Sequence, residues 1–287
     1  MNSQMRYGIG VVPAGEVDVH ALAELAHLAE GAGWDGFFIE DYITHWTAPD
    51  VPTVDPWIGL AAVALRTERI RLGTLVTPLA RRRPWKVARE ATTLDHLSKG
   101  RFVLGVGLGA ASDTMNFDRF GEVTDLRKRA EMLDEALDII AGLWSGKPFS
   151  YHGRHYHVDK VTFRPTPLQQ PRIPIWVGGG YPNKGPTARA ARWDGSCMYK
   201  ETHGAGWQDM TAGDVRALKA FVEAQRPEAT RYDIVVGGRE RAADWDWERA
   251  HIRSVAEAGA TCWVEFIEPT SLANTREDVM RGPLRID

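Results

Sequence analysis

Residues 70–109 read IRLGTLVTPLARRRPWKVAREATTLDHLSKGRFVLGVGLG. The apolar run Ile70 to Val76 has the length of a strand. Pro84 then stands where a first helical turn tolerates a missing N–H. Val87, Ala88, Ala91, Leu94 and Leu97 recur on one helical face, and Gly100 stops the pattern. Phe102 to Val106 is again a strand, running into Gly107-Leu108-Gly109. A strand, a helix of this length and a second strand make a crossover, and a crossover asks for parallel pairing.

The same alternation extends both ways. Strands are expected at Tyr7–Val12, Phe37–Ile39, Ile175–Val177, Ser196–Tyr199, Ile234–Val236 and Thr261–Ile267. Between them lie helices opened by Asp18, by Asp55-Pro56, by Asp125 and by Asp214, one beginning near Pro186, and one over Trp247–Ala258 that Gly259 ends. The stretch Pro148–Pro174 has no sustained period and reads as an excursion over the surface, with a small hairpin at Tyr151–Val158. Eight strands in 287 residues, without a linker or a shift in composition, predict one (β/α)8 barrel. The rival, an open doubly wound sheet, expects a dinucleotide fingerprint after the first strand. That position reads Val12-Pro13-Ala14-Gly15, which is not one.

Composition narrows the function classes. A formal charge of −3 gives no reason to expect nucleic acid or an anionic membrane surface as partner. Cys197 and Cys262 lack metal-ligand spacing and read as buried, reduced thiols. The longest clean apolar run, Trp57 to Leu65, is too short to span a bilayer. No secretory signal is visible at the N-terminus, so a cytoplasmic enzyme acting on a small molecule is expected.

In such a barrel, chemistry sits at the carboxyl ends of the strands. These are Pro13, Glu40-Asp41-Tyr42, Thr74 to Pro78, Gly107-Leu108-Gly109, Gly178-Gly179-Gly180, Tyr199-Lys200, Gly237-Gly238 and Glu265 to Glu268. Gly178-Gly179-Gly180, with Lys184 and a helix following, is read as a phosphate seat; a flexible turn is the plain alternative. On the first reading a bulky residue at Gly179 abolishes cofactor binding and leaves the fold intact. Tyr42, His45 and Trp46 gather a phenol, an imidazole and an indole after the second strand. His45 is a candidate proton donor or acceptor, or simply an exposed loop histidine. Asp41 joins Tyr42 and His45 as a catalytic candidate, and Trp46 and Trp57 are assigned to a substrate pocket. Arg81-Arg82-Arg83 reads as a solvated basic turn or an anion site. His155 and His157 fall on one face of the expected hairpin, but no carboxylate or cysteine completes a metal set, so no metal is expected.

Taken together, the motifs resemble a known family. Thr77-Pro78, Arg83-Pro84, Ala88, Thr92-Thr93-Leu94-Asp95 and Leu97-Ser98-Lys99-Gly100-Arg101 precede Val103 to Gly109 in the order of luciferase-like flavin and deazaflavin oxidoreductases. Ala29 to Gly36, Tyr151-His152-Gly153, Arg164-Pro165, Ile173-Pro174-Ile175-Trp176, Gly178-Gly179 and Asp194-Gly195 fit as well, and the likeness thins beyond about residue 200. The resemblance implies a reduced flavin at the strand carboxyl ends. It further implies a bulge with a non-prolyl cis peptide near Thr74, Leu75 and Val76, and a cofactor phosphate at the fifth-strand loop. The expected cofactor site is therefore Thr74, Leu75, Val76, Gly107, Leu108, Gly109, Gly178, Gly179, Gly180 and Lys184. Deazaflavin-dependent sugar-phosphate dehydrogenases of this kind carry a histidine after the second-strand aspartate and an acid after the GxG. This chain has Tyr42 and Ala110 there, which argues against that reaction. The expected activity is oxygenation of a small organic substrate with reduced FMN. The alternatives are hydride transfer with coenzyme F420 and, more remotely, a non-catalytic flavin-binding barrel. Relatives of this kind are commonly dimers, so a homodimer stands open beside a monomer.

Overall fold

In a computed structural model, described over residues 5–45, 48, 50–110, 112–113, 115–202, 206–226, 231–267 and 271–286, strands and helices alternate along the chain. The order is β1 (Arg6–Val11), α1 (Val19–Gly31), β2 (Gly36–Ile39), α2 (Pro56–Arg66), β3 (Arg71–Thr74), β4 (Thr77–Pro78), α3 (Pro84–Leu97), β5 (Phe102–Gly107) and α4 (Leu126–Trp144). A hairpin, β6 (Phe149–His152) and β7 (His157–Val161), leads to β8 (Ile175–Tyr181), α5 (Lys184–Ala191), β9 (Gly195–Thr202), β10 (Gly206–Gln208), α6 (Ala212–Gln225), β11 (Asp233–Arg239), α7 (Trp245–Ala258), β12 (Cys262–Ile267) and α8 (Leu272–Met280). Parallel pairing runs β1–β2–β3–β5–β8–β9–β11–β12 and back to β1, so the eight-stranded barrel closes.

Local chemistry sets the helix starts. Asp18, Asp55 and Asp125 accept backbone N–H groups of the turns they open, as their positions predict. At α6 the cap is Thr211 rather than Asp214, and Asp214 completes a capping box with it. Asp244, unread in the sequence, caps α7 and sets its start at Trp245.

Side chains alternate across each strand, so two cores form. Tyr7, Ile9, Phe37, Ile39, Leu104 and Val177 face outward and pack beneath the helices. Phe38, Val103, Trp176, Val235, Cys262 and Val264 fill the barrel interior, with Leu75 and Cys197 above them. Each such aliphatic or aromatic side chain contributes about 1.5–3 kcal/mol when fully buried. At the amino end of the barrel the buried Asp233 ties Arg6 and accepts the Trp176 indole N–H at 3.2 Å. That end is closed by charge pairing.

The third strand is broken into β3 and β4 at the expected bulge. Three other expectations are corrected. β8 runs through all three glycines to Tyr181 instead of ending at Val177, and β9 reaches Thr202. In the hairpin His152 stands across from His157, while His155 turns onto Glu131 of α4 at 2.9 Å. No cluster of three metal-ligating side chains occurs among the described residues, and no helix there is long and apolar enough to cross a membrane.

Candidate functional site

The break between β3 and β4 is a bulge. Gly73 pairs with Val103 and Thr77 with Val106, so Thr74, Leu75 and Val76 stand opposite only Leu104 and Gly105. The extra residue is accommodated by a cis peptide between Leu75 and Val76. Thr74 Oγ1 donates to the Gly105 carbonyl at 2.8 Å, and the Leu75 amide donates to Ile39 O at 2.9 Å. Glycine is required opposite the bulge: a Cβ on Gly105 would lie 1.9 Å from Thr74 O. The Val76 side chain is wedged between Gly107 and Gly178, where added Cβ atoms would approach it to 2.7 and 3.0 Å. Leu75, Val76, Gly178 and Cys197 face inward at this level and are only half-buried, so the barrel is open above them. The three residues expected to carry a bulge do so.

Asp41 is fully engaged. Its carboxylate accepts from Trp57 Nε1 at 3.0 Å, Thr77 Oγ1 at 2.8 Å, and Arg82 Nε and Nη2 at 2.9 Å each. Arg81 Nη2 lies 3.3 Å from its other oxygen. Burial lowers the Arg81 pKa more than Asp41 raises it, whereas at Arg82 Asp41 outweighs the burial and the pKa rises. Two of the three arginines read as a solvated turn are thus anchors, and Trp57 reaches Asp41 from α2. The knot clamps β4, directly after the bulge, to the end of β2.

The loop after β2 is held from the far side by Asn116, which sequence reasoning missed. Asn116 is completely buried. Its Oδ1 accepts the amides of Ile43 (2.6 Å) and Thr44 (2.9 Å), and its Nδ2 donates to Thr44 O at 3.0 Å and to Asp113 at 2.9 Å. No periodicity marks such a residue; only an Asx pair three apart in a loop hints at it. Beside it Phe117 is buried under the Arg129 guanidinium, 3.3 Å from the ring centroid, and against Gly109, whose φ of +74° needs glycine. The result positions Tyr42 and His45 edge-to-face, ring centroids 6.0 Å apart. His45 Nδ1 accepts the Ala48 amide at 3.2 Å, which leaves Nε2 as the proton-bearing nitrogen of the neutral ring. Trp46 and the strand-end Glu268 lie outside the described residues.

The glycine triplet is not a loop. Gly178, Gly179 and Gly180 pair with Cys197, Met198 and Tyr199, so the ladder uses part of their backbone. Gly179 faces α5, where a Cβ would meet Pro186 at 2.5 Å. A bulky residue there therefore strains the fold, against expectation. The amides left over belong to Lys184 and Gly185 in the first turn of α5, since Pro186 has none and Thr187 bonds to Asn183 O. Both residues are exposed. Elsewhere at the strand ends, Lys200 is paired with Asp214 at 3.0 Å and Arg241 with Glu265 at 2.9 Å. A groove lined by His27, Arg66, Arg69 and Met280 lies at the amino end of the barrel, remote from this chemistry.

The profile of the luciferase-like monooxygenase family matches residues 5–261. Among curated relatives, an F420-dependent glucose-6-phosphate dehydrogenase of Nakamurella multipartita is 36% identical over 165 residues, 56% of this chain and 47% of that protein. An F420-dependent hydroxymycolic acid dehydrogenase of Mycobacterium tuberculosis is 32% identical over 219 residues, 75% of this chain and 56% of that protein. The chain spans about half the length of the curated relatives it matches. Of solved structures, an F420-dependent secondary alcohol dehydrogenase in complex with an F420-acetone adduct superimposes with TM-score 0.77 at 18% identity over 97% of each chain. A monooxygenase from Streptomyces bottropensis gives 0.74 at 19% identity over 96% of each. At such identities these two establish the fold alone.

Proposed function

This chain belongs to the luciferase-like monooxygenase family, and on that premise we propose that it is an oxidoreductase passing a hydride between coenzyme F420 and a small organic substrate. The observation that carries a ring-shaped cofactor is the β3 bulge, with Val76 seated between Gly107 and Gly178 at an open barrel mouth. F420 is preferred to FMN because the curated relatives at about a third identity are named for it. This replaces the flavin-and-oxygen activity expected from the sequence. Oxygenation with reduced FMN is the second reading, favoured by the match to the luciferase-like monooxygenase family.

The residues present fit such a group. Leu75 and Val76 offer a flat apolar shelf, and Thr74 fixes it through the Gly105 carbonyl. Gly107 and Gly178 flank the Val76 side chain, while Gly109 packs on Phe117 and Gly179 on Pro186. An anionic tail fits the Lys184 and Gly185 amides and the Lys184 ammonium, where the α5 dipole favours negative charge. The coenzyme, when bound, supplies the hydride chemistry. The protein excludes water, holds the ring and handles protons. His45 holds a proton at Nε2 beside Tyr42, while Asp41 and Trp57 position the β2 end and do not exchange protons. Fluorescence titration of the protein with F420 and with FMN is the test. Micromolar binding of F420 and none of FMN supports the proposal; the reverse overturns it in favour of the oxygenase.

A further inference from the structure

The hairpin of β6 and β7 carries a pair of side chains that no step at the barrel mouth uses. His152 ends β6 and stands directly across from His157, which opens β7. Their Nδ1 atoms are 2.8 Å apart, with ring centroids at 4.3 Å and ring planes inclined by 52°. Both residues are exposed, so neither ring is there to fill the core.

The turn between them is braced against α4. Glu135 accepts the amides of Arg154, His155 and Tyr156 at 2.7, 3.0 and 3.0 Å, and the Gly153 amide donates to Tyr156 O at 2.9 Å. Tyr156 is buried, with Trp85 edge-on to its ring. The third histidine of the hairpin is engaged elsewhere, since Glu131 holds His155 at 2.9 Å and Arg154 at 3.1 Å. Asp159, two positions on along β7, shares the exposed face of His157 and adds negative charge there. A braced turn thus presents the two imidazoles together, and closing a chelate on them costs little further ordering.

Two neutral imidazoles this close share one proton, with Nδ1–H of one ring donating to the Nδ1 lone pair of the other. A metal ion can take the place of that proton. The donating ring then carries its hydrogen on Nε2, so the neutral pair loses no proton overall. Nitrogens bound about 2.0 Å from an ion lie about 2.8 Å apart when cis at about 90°, and about 3.3 Å apart at the tetrahedral angle. The separation of His152 and His157 matches the first arrangement. Tetragonal geometry with nitrogen and oxygen ligands selects copper(II) or nickel(II), and copper(II) forms the stronger complex.

We propose that His152 and His157 form a two-imidazole chelate for copper(II), with water in the remaining positions, clasping β6 to β7. Two side chains suffice for such a site, so it needs no cluster of three metal-ligating residues.

The test is calorimetric titration of copper(II) and of zinc(II), each as the ion alone in a weakly chelating buffer, into the full chain free of any affinity tag. Electron paramagnetic resonance is recorded on the copper-loaded protein. One copper ion per chain, held at least about tenfold more tightly than zinc and showing nitrogen hyperfine splitting from two imidazoles, is the expected result. His152→Gln and His157→Gln should each weaken copper at least about tenfold and remove the two-nitrogen signal, whereas His155→Gln should leave both unchanged. No copper binding at micromolar concentration, zinc held as tightly as copper, or a copper site that survives in a folded His157→Gln protein overturns the proposal.

Discussion

Replacing Asp41 with Asn keeps the shape of the side chain and removes the charge on which two guanidiniums depend. The Arg81 and Arg82 side chains are only 3% and 23% exposed, and the Asp41 side chain 1%. Breaking a buried pair by deleting one partner costs about 3–5 kcal/mol, because the other charge stays buried. The entropy of unfolding is about 2.1 cal/mol/K per residue, hence about 0.6 kcal/mol/K for a chain of 287 residues. Melting by calorimetry should therefore fall by about 5–8 °C. Since Thr77 Oγ1 also donates to Asp41, the bulge loosens and coenzyme affinity should drop with it. A melting temperature within about 1 °C of the wild type, together with lost turnover, would refute this account and return Asp41 to the proton-transfer role its strand-end position suggests.

Asn116→Ala strands the Ile43 and Thr44 amides at a cost of about 1–3 kcal/mol each, so hydrogen exchange at residues 42–45 should accelerate; unchanged protection there would remove Asn116 as the clamp. Burial pushes the Cys262 thiol up to about 12 from 9.0, so its alkylation by iodoacetamide at pH 8 should run about a thousandfold slower than for a free thiol. Rapid labelling of Cys262 in the folded chain contradicts the interior packing. At Asp214, burial raises the pKa but hydrogen bonds from Thr211 and Lys200 outweigh it and hold it below the ordinary carboxylate value. Its stabilisation is present above the unfolded pKa and is lost as pH falls through the folded one. Denaturant unfolding of Asp214→Asn should therefore show a weaker loss of stability on acidification than the wild type, and an identical pH slope would count against it.

The alternation of apolar runs with helical stripes determined the barrel, because each strand buries both faces and each helix one, and those two periods are written in consecutive residues. The location of the bulge was legible too, through the motif around Thr77-Pro78 and the glycines that follow. What the sequence left undecided are contacts between residues far apart along the chain. Asp41 reads as a free acid until Arg81, Arg82, Thr77 and Trp57 converge on it. Gly178 to Gly180 read as a loop because glycine weakens any strand signal, yet pairing with β9 extends the strand through them. Asn116 has no periodicity to betray it, since its work is to satisfy backbone amides more than seventy positions away. Local sequence carries secondary structure; the convergence of Arg81 and Arg82 on Asp41 is a property of the closed barrel alone.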